Sequence, residues 1–159
     1  MHKKIKVIGL LFLSIVSFLQ AHTAFADTPS CVANAMRSAK DAGSNQRALK
    51  NLYIVYFGDA LARRSVARDW PRMSQGDRTA QVEYATSVVM SVASRFAAYA
   101  NATFVWRDAT HAVVTLNGQS AQVTVYPAGI GCQMSDICIA GKPCLSSLIG
   151  DYRKLISKK

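Results

Sequence analysis

Histidine and glutamate, which often serve as general acids and bases, are rare in this sequence. Beyond residue 26 there is one histidine, His111, and one glutamate, Glu83, and no G-x-S-x-G, H-E-x-x-H, phosphate-loop or dinucleotide-binding motif occurs. His111 begins a predicted strand, where we expect a surface or hydrogen-bonding role. Asp59, Asp69 and Asp77 stand at predicted helix ends, where carboxylates cap backbone N–H groups. The sequence therefore favours a binding protein over an enzyme and predicts no catalytic residue.

The four cysteines, Cys31, Cys132, Cys138 and Cys144, predict at least one disulfide, with three possible pairings. Cys132 and Cys138 fall on one predicted strand, so their Cα atoms should lie roughly 20 Å apart at about 3.3 Å per residue. A disulfide requires about 7 Å or less. We therefore expect one of these two to pair with Cys31 or Cys144. A zinc site that combines three cysteines with His111 is disfavoured, because C-x5-C-x5-C does not match a zinc knuckle. No metal site is predicted.

The first 26 residues have the three parts of a secretory signal peptide. Three lysines lie among the first six residues, residues 7–19 are apolar and uncharged, and Ala24-Phe25-Ala26 offers a small-x-small cleavage pattern. The apolar run is shorter than the about 20 residues of a membrane-spanning helix, which disfavours an uncleaved anchor. We therefore divide the chain into a signal peptide, residues 1–26, and one domain outside the cytoplasm, residues 27–159.

The chain is basic, with a formal net charge of +10 that falls to about +7 without the three signal lysines. The basic residues are scattered from Arg37 to Lys159 rather than grouped in one run. Such an excess attracts anionic surfaces, which outside the cytoplasm are lipid headgroups or acidic proteins. Nucleic acid is not expected as a partner, because no basic run is interleaved with aromatic residues.

Apolar periodicity predicts helices in the first part of the domain. They cover residues 30–42, Gln46–Tyr56 and 59–70, with Asp59 as the N-cap of the third and Pro71 ending it. A capping box from Ser74 to Asp77 then begins the longest helix, about residues 75–100.

The long helix is apolar almost all round. Between residues 82 and 100 its only charged residues are Glu83 and Arg95. One stripe runs along it at spacings of three and four residues: Tyr84, Val88, Val92, Phe96 and Tyr99. Such a helix must be covered on several sides, and its many small side chains leave room for a neighbouring element or a ligand.

The period then changes from helix to strand. Thr103–Trp106, His111–Leu116 and residues 120–126 alternate and are rich in Val and Thr, and Asn117-Gly118 predicts a tight hairpin. A fourth strand is predicted over residues 133–139, and an amphipathic helix starts near residue 146. These elements predict an α+β fold: N-terminal helices, a long apolar helix packed on a curved antiparallel sheet of about four strands, and a closing C-terminal helix.

Residues 62–70, Ala-Arg-Arg-Ser-Val-Ala-Arg-Asp-Trp, resemble the A-R-x-x-L-G-R-x-W segment of periplasmic phospholipid-binding proteins of the MlaC, or toluene-tolerance, type. Residues 94–99 fall where that family's long helix carries aromatic residues. Residues 136–141, Asp-Ile-Cys-Ile-Ala-Gly, are similar to its D-V-x-x-x-G strand exit. The chain departs from the family at Cys132, where Trp is usual, and at Pro143, where Ser is usual.

The resemblance implies a carrier that takes a phospholipid through the periplasm, with no other cofactor. Its partners would be an inner-membrane ABC transporter with an MCE-domain subunit and an outer-membrane lipoprotein–porin complex. The acyl chains would lie between the helices and the concave side of the sheet. The residues that we expect to line this site are Trp70, Tyr84, Val88, Val92, Phe96, Tyr99, Val113, Val123 and Val125.

Two other classes of protein remain open. A small secreted interaction or inhibitor module would use the apolar helix only as core and would be packed solid, whereas a carrier needs an elongated apolar cavity. A hydrolase would require His111 to be buried beside a carboxylate and a nucleophile.

We predict that the processed protein begins at Asp27, because cleavage after Ala26 follows the small-x-small pattern. The intact mass of the exported protein measures this directly. A membrane-bound form that retains residues 1–26 would contradict it.

Overall fold

Five α-helices and a four-stranded antiparallel sheet make up the part of the chain that the structure describes. This computed structural model describes the backbone of residues 27–156 and the side chains of residues 27–150; the predicted signal peptide lies outside them. The helices are α1 (Thr28–Ala42), α2 (Gln46–Tyr56), α3 (Gly58–Ser65), α4 (Gln75–Ala98) and α5 (Leu145–Ile156). The strands are β1 (Thr103–Trp106), β2 (His111–Leu116), β3 (Gln119–Pro127) and β4 (Met134–Ile139). This confirms the predicted α+β class. Within residues 27–156 no helix has the length and hydrophobicity that a membrane span requires.

α4 begins at the predicted capping box. The Ser74 hydroxyl accepts the backbone N–H of Asp77 at 3.1 Å, and the Asp77 carboxylate accepts the backbone N–H of Ser74 at 3.3 Å. One face of α4 is buried, and α1, α2, α3 and α5 all contact this helix. The residues of that face are Gln81, Ala85, Thr86, Val89 and Ala93. The expected coverage of a nearly apolar helix on several sides is therefore confirmed.

The third helix differs from its predicted boundaries, residues 59–70. α3 starts at Gly58, whose positive φ of 53° turns the chain from α2 into α3 without an intervening loop. The N-cap position falls on Phe57, which makes no side-chain capping bond. Asp59 lies in the first turn of the helix instead and pairs with Arg63 at 3.3 Å. The prediction of Asp59 as the N-cap was therefore wrong.

α3 also ends earlier than predicted, at Ser65. The Ser65 hydroxyl donates to the Ala62 carbonyl at 2.7 Å and accepts from the Gln81 side chain at 3.0 Å, which fastens the last turn of α3 to α4. A Cβ at Gly150 would lie only 3.3 Å from the Ser65 carbonyl oxygen, so α5 crosses α3 closely at this point. Pro71, predicted to end the helix, lies in a separate 3-10 turn, Trp70–Arg72.

The sheet has the order β1-β2-β3-β4, with every pair antiparallel. The predicted hairpin is present, with φ of 51° at Asn117 and 76° at Gly118, as a type I′ turn requires. This two-residue turn pairs Leu116 with Gln119 and therefore Ala112 with Val123. Ala112 and Val123 are buried and share the face of the sheet that packs against the helices.

A β-bulge shapes the edge of the sheet. Pro127 pairs with Met134 and Tyr126 with Asp136, so Ser135 is an extra residue on β4. The bulge turns Met134 into the core and bends the strand. Asp136 falls on the face opposite Ile137, beside α3 and α5.

Two disulfides link elements of the fold, one across 101 residues and one across 6. Cys31 in α1 pairs with Cys132, just before β4, and Cys138 at the end of β4 pairs with Cys144, just before α5. The expectation that Cys132 and Cys138 do not pair with each other is confirmed. All four sulfurs are thus engaged, and none offers a thiolate to zinc in the oxidised protein.

The two disulfides should stabilise the protein unequally, because loop-closure entropy grows with loop length. Replacing Cys31 and Cys132 by serine removes a link between residues 101 positions apart and should lower the unfolding free energy by about 4–5 kcal/mol. The matched Cys138→Ser, Cys144→Ser variant opens a separation of 6 and should cost about 2 kcal/mol. Urea denaturation of both variants measures the difference. An equal or reversed order would contradict this account.

Candidate functional site

A cavity of about 480 Å³ opens between the C-terminal half of α4, the inward face of the sheet and the start of α5. Most of its lining is apolar. From α4 it receives Val92, Phe96, Ala98 and Tyr99, from the sheet Leu116, Ile137 and Ile139, and from the α5 region Pro143, Leu145 and Leu148; Arg95 and Lys142 complete it.

The α4 wall follows from helical spacing. Ala85, Val89 and Ala93 form the buried face of α4. Val92 and Phe96 lie on the adjacent face of the helix, where they are half-buried. They therefore border the cavity instead of filling the core. The Phe96 ring packs against Phe57 at a centroid distance of 6.2 Å, and Phe57 lies in the core. Phe96 thus separates the cavity from the core behind it.

The α5 wall is positioned by a buried carboxylate, Asp136, which is 1% exposed. Oδ1 accepts the backbone N–H groups of Ser146 and Ile137, both at 2.9 Å. Oδ2 accepts the Ser146 hydroxyl and, at 3.1 Å, the Arg64 Nε–H. A carboxylate at the first turn of a helix satisfies free N–H groups and interacts favourably with the helix dipole. Asp136 therefore joins α3, β4 and α5 and holds the wall that carries Leu145 and Leu148.

The rim of the cavity is a short loop between β4 and α5, closed by the Cys138–Cys144 disulfide. Lys142 lies in this loop, and its backbone N–H donates to the Ile139 carbonyl at 2.9 Å. Arg95, near the end of α4, borders the same cavity. Both side chains are exposed, and among the described side chains neither forms an ion pair. The apolar cavity thus carries two available positive charges in its lining.

The residues predicted to bind lipid are only partly brought together. Val92, Phe96 and Tyr99 line the cavity. Tyr84 and Val88, earlier on the same stripe, are half-buried against the core instead.

The three valines of the sheet take two different places. Val123 and Val125 are buried in the core on the inward face. Val113 pairs with Gln122 and lies on the opposite face of the sheet, so it cannot reach the cavity.

Trp70 also lies away from the cavity. Its ring is flanked by the guanidinium groups of Arg63 at 5.7 Å and Arg78 at 5.6 Å, and Arg78 Nε donates to the Trp70 carbonyl at 3.2 Å. Trp70 borders a separate open groove of about 670 Å³ with Arg63 and Arg64. These contacts indicate that Trp70 anchors the connection between α3 and α4.

His111 does not meet the condition set for a hydrolase. It is exposed, and its Nδ1 contacts both the Asp108 carboxylate at 3.0 Å and the Thr110 hydroxyl at 2.9 Å. A catalytic relay needs the carboxylate and the nucleophile on different ring nitrogens. The Thr110 backbone N–H, followed by the His111 side chain, lowers the pKa of Asp108 below its ordinary value. This cluster closes the β1–β2 turn.

Sequence reasoning missed most of the sheet and α5 lining. The inward-facing residues of the sheet could have been predicted from the sequence. A two-residue turn at Asn117-Gly118 pairs Ala112 with Val123 and therefore places Val113 on the other face. The sequence also distinguished Arg95, because it is one of two charged residues in the otherwise uncharged stretch from residue 82 to residue 100. No local pattern marked Lys142, since its place depends on the disulfide-closed loop.

No protein-family model and no curated protein sequence matches this chain. Its fold is similar to that of a phospholipid-binding protein from Ralstonia solanacearum, whose structure was solved in complex with a phospholipid. The two chains are 19% identical and superpose with a TM-score of 0.58, over 84% of this chain and 89% of the other. At this identity the likeness establishes a shared fold.

Asp136→Asn tests the link between the carboxylate and α5. The amide keeps the shape and one acceptor but loses the charge that binds Arg64 and the second acceptor for Ser146. We expect a loss of about 1–3 kcal/mol in unfolding free energy, together with faster amide hydrogen exchange in residues 145–150.

The matched control is Asp69→Asn, since Asp69 is an exposed aspartate. It should change stability by no more than about 0.5 kcal/mol. Equal behaviour of the two variants would show that Asp136 does not hold α5.

Proposed function

We propose that this protein binds a phospholipid and carries it through the periplasm, with acyl chain in the cavity beside α4. The observation that carries the proposal is the apolar cavity between α4, the sheet and α5, with positive charge in its lining. The shared fold with a phospholipid-binding protein supports it.

The physical need for such a cavity is large. Each methylene group kept from water is worth about 0.8 kcal/mol, so a chain of about 14 such groups is worth roughly 11 kcal/mol. A lipid without cover would therefore rarely leave a membrane for an aqueous compartment. Val92, Phe96, Ile137 and Leu148 supply apolar walls of the kind that would reduce this cost.

The alternative, a secreted interaction or inhibitor module, would use α4 as part of a solid core. The cavity is partly open to solvent, and its volume is about 480 Å³. Its mostly apolar lining favours a lipid-binding protein over such a module.

The transport setting is the finer part of the proposal. The signal-peptide pattern and two disulfides suit an oxidising compartment outside the cytoplasm. The resemblance to MlaC-type proteins suggests that the carrier is the soluble component of an ABC-type lipid transport system. Its partners would then be an inner-membrane MCE-domain transporter and an outer-membrane lipoprotein–porin complex.

Val92→Trp tests whether the cavity holds lipid. The indole would occupy space that an acyl chain needs, so phospholipid in organic extracts of the purified protein should fall. The melting temperature of the lipid-free protein should hold within about 3 °C, because the ring enters an empty volume. Mass spectrometry of the extracts and a thermal melt on one preparation give both quantities.

Two controls use the same substitution elsewhere. Val89→Trp places the ring in the solid core and should cost about 1–3 kcal/mol or more by overpacking. Val113→Trp lies on the outer face of the sheet and should change neither lipid content nor folding appreciably. If Val92→Trp loses stability as Val89→Trp does, and no preparation contains lipid, the carrier proposal fails and the packed module is favoured.

A further inference from the structure

The cavity has the volume of one acyl chain. A methylene group takes up roughly 30 Å³, about the share of a water molecule in the liquid. A chain of about 14 to 16 carbons therefore needs roughly 420–480 Å³ on the same basis. The part of the cavity bounded by described side chains measures about 480 Å³ and is partly open to solvent, so it can cover one such chain, whereas a second chain would double the space required.

The surrounding core prevents the cavity from extending along α4. Phe96 meets Phe57 at 6.2 Å, and Phe57 meets Tyr53 at 6.3 Å, so aromatic rings close the inner end. Beyond them Ala85 and Val89 are fully buried. A longer or second chain would have to displace these packed side chains, which costs stability.

The charged residues of the cavity lining indicate which kind of headgroup the bound acyl chain carries. Arg95 and Lys142 come from two different elements and border one cavity, while none of the acidic residues whose side chains the structure describes does so. Neither cation forms an ion pair among the described side chains. A phosphate group offers several strong acceptors for such donors, and charge-assisted hydrogen bonds of this kind are about twice as strong as neutral ones.

We propose that the ligand of this cavity is a phospholipid with a single acyl chain, whose phosphate is bound by Arg95 and Lys142. This inference rests on the proposed lipid-binding function and adds the number of chains and the residues that select the head. The Cys138–Cys144 disulfide keeps the Lys142 loop short, so the cation is held at the rim.

Delipidated protein, titrated with each lipid kept monomeric by a cyclodextrin, tests the proposal. The probes are myristoyl lysophosphatidylglycerol, dimyristoyl phosphatidylglycerol and uncharged monomyristoylglycerol. We expect one lysolipid per protein in native mass spectrometry, and calorimetry should show that the second chain of the diacyl lipid adds no affinity. Myristate tests whether a carboxylate can replace the phosphate. Myristate affinity equal to that of the lysolipid would show that Arg95 and Lys142 bind single-chain anions in general. Weaker binding of myristate would show that they select the phosphate.

The variant Arg95→Gln, Lys142→Gln removes both cations from the rim. It should weaken lysophosphatidylglycerol binding by about tenfold or more and leave monomyristoylglycerol binding within about twofold. Its matched control, Arg47→Gln with Lys50→Gln, removes two exposed charges on α2 and should leave every affinity unchanged.

The outcomes separate this inference from the function on which it rests. Diacyl lipid bound more than about tenfold tighter than the lysolipid would overturn the single chain and leave lipid binding intact. An equal loss for the charged and uncharged lipids would overturn the role of Arg95 and Lys142. If none of the lipids binds, the proposed function itself fails.

Discussion

The packing of α4 is the constraint on which the rest of the structure depends. Ala85, Val89 and Ala93 present small side chains on one face, so neighbouring elements can approach this helix closely. Few charged residues lie on its other faces, which must therefore also be covered. Four helices meet this requirement by contacting α4, and its central residues share one core with the sheet. The cavity lies where this coverage stops short, beside Val92 and Phe96.

The second organising interaction is electrostatic. Burying a carboxylate is costly unless its hydrogen-bonding capacity is met, and the partners of Asp136 come from α3, α5 and its own strand. The Arg64 guanidinium also lies 4.0 Å from the centre of the Tyr126 ring. Arg64 is separated from Asp136 by 72 residues, so the arrangement forms only when the helices and the sheet edge are assembled. Placement of the α5 wall is therefore coupled to formation of the whole domain.

Local patterns predicted much of the fold. α2 and the first two strands have their predicted bounds, because periodicity and the Asn117-Gly118 turn are local signals. α3 ends earlier than predicted, at Ser65, and the contacts of Ser65 with α4 and α5 could not be read from the sequence of α3. The site was harder to predict for the same reason. Periodicity identified the stripe of Val92 and Phe96, whereas the part of it that borders a cavity depends on the packing of neighbouring elements.

The order of the disulfide partners has a consequence for how the chain is oxidised. The pairs join the first cysteine to the second and the third to the fourth along the chain. A chain that is translocated N-terminus first into an oxidising compartment would present each partner in turn. An oxidase that joins cysteines in order of arrival would therefore reach the native connectivity without isomerisation. In such a chain Cys31 would have to stay reactive until Cys132 emerged, so almost the whole domain would cross the membrane before its first disulfide formed.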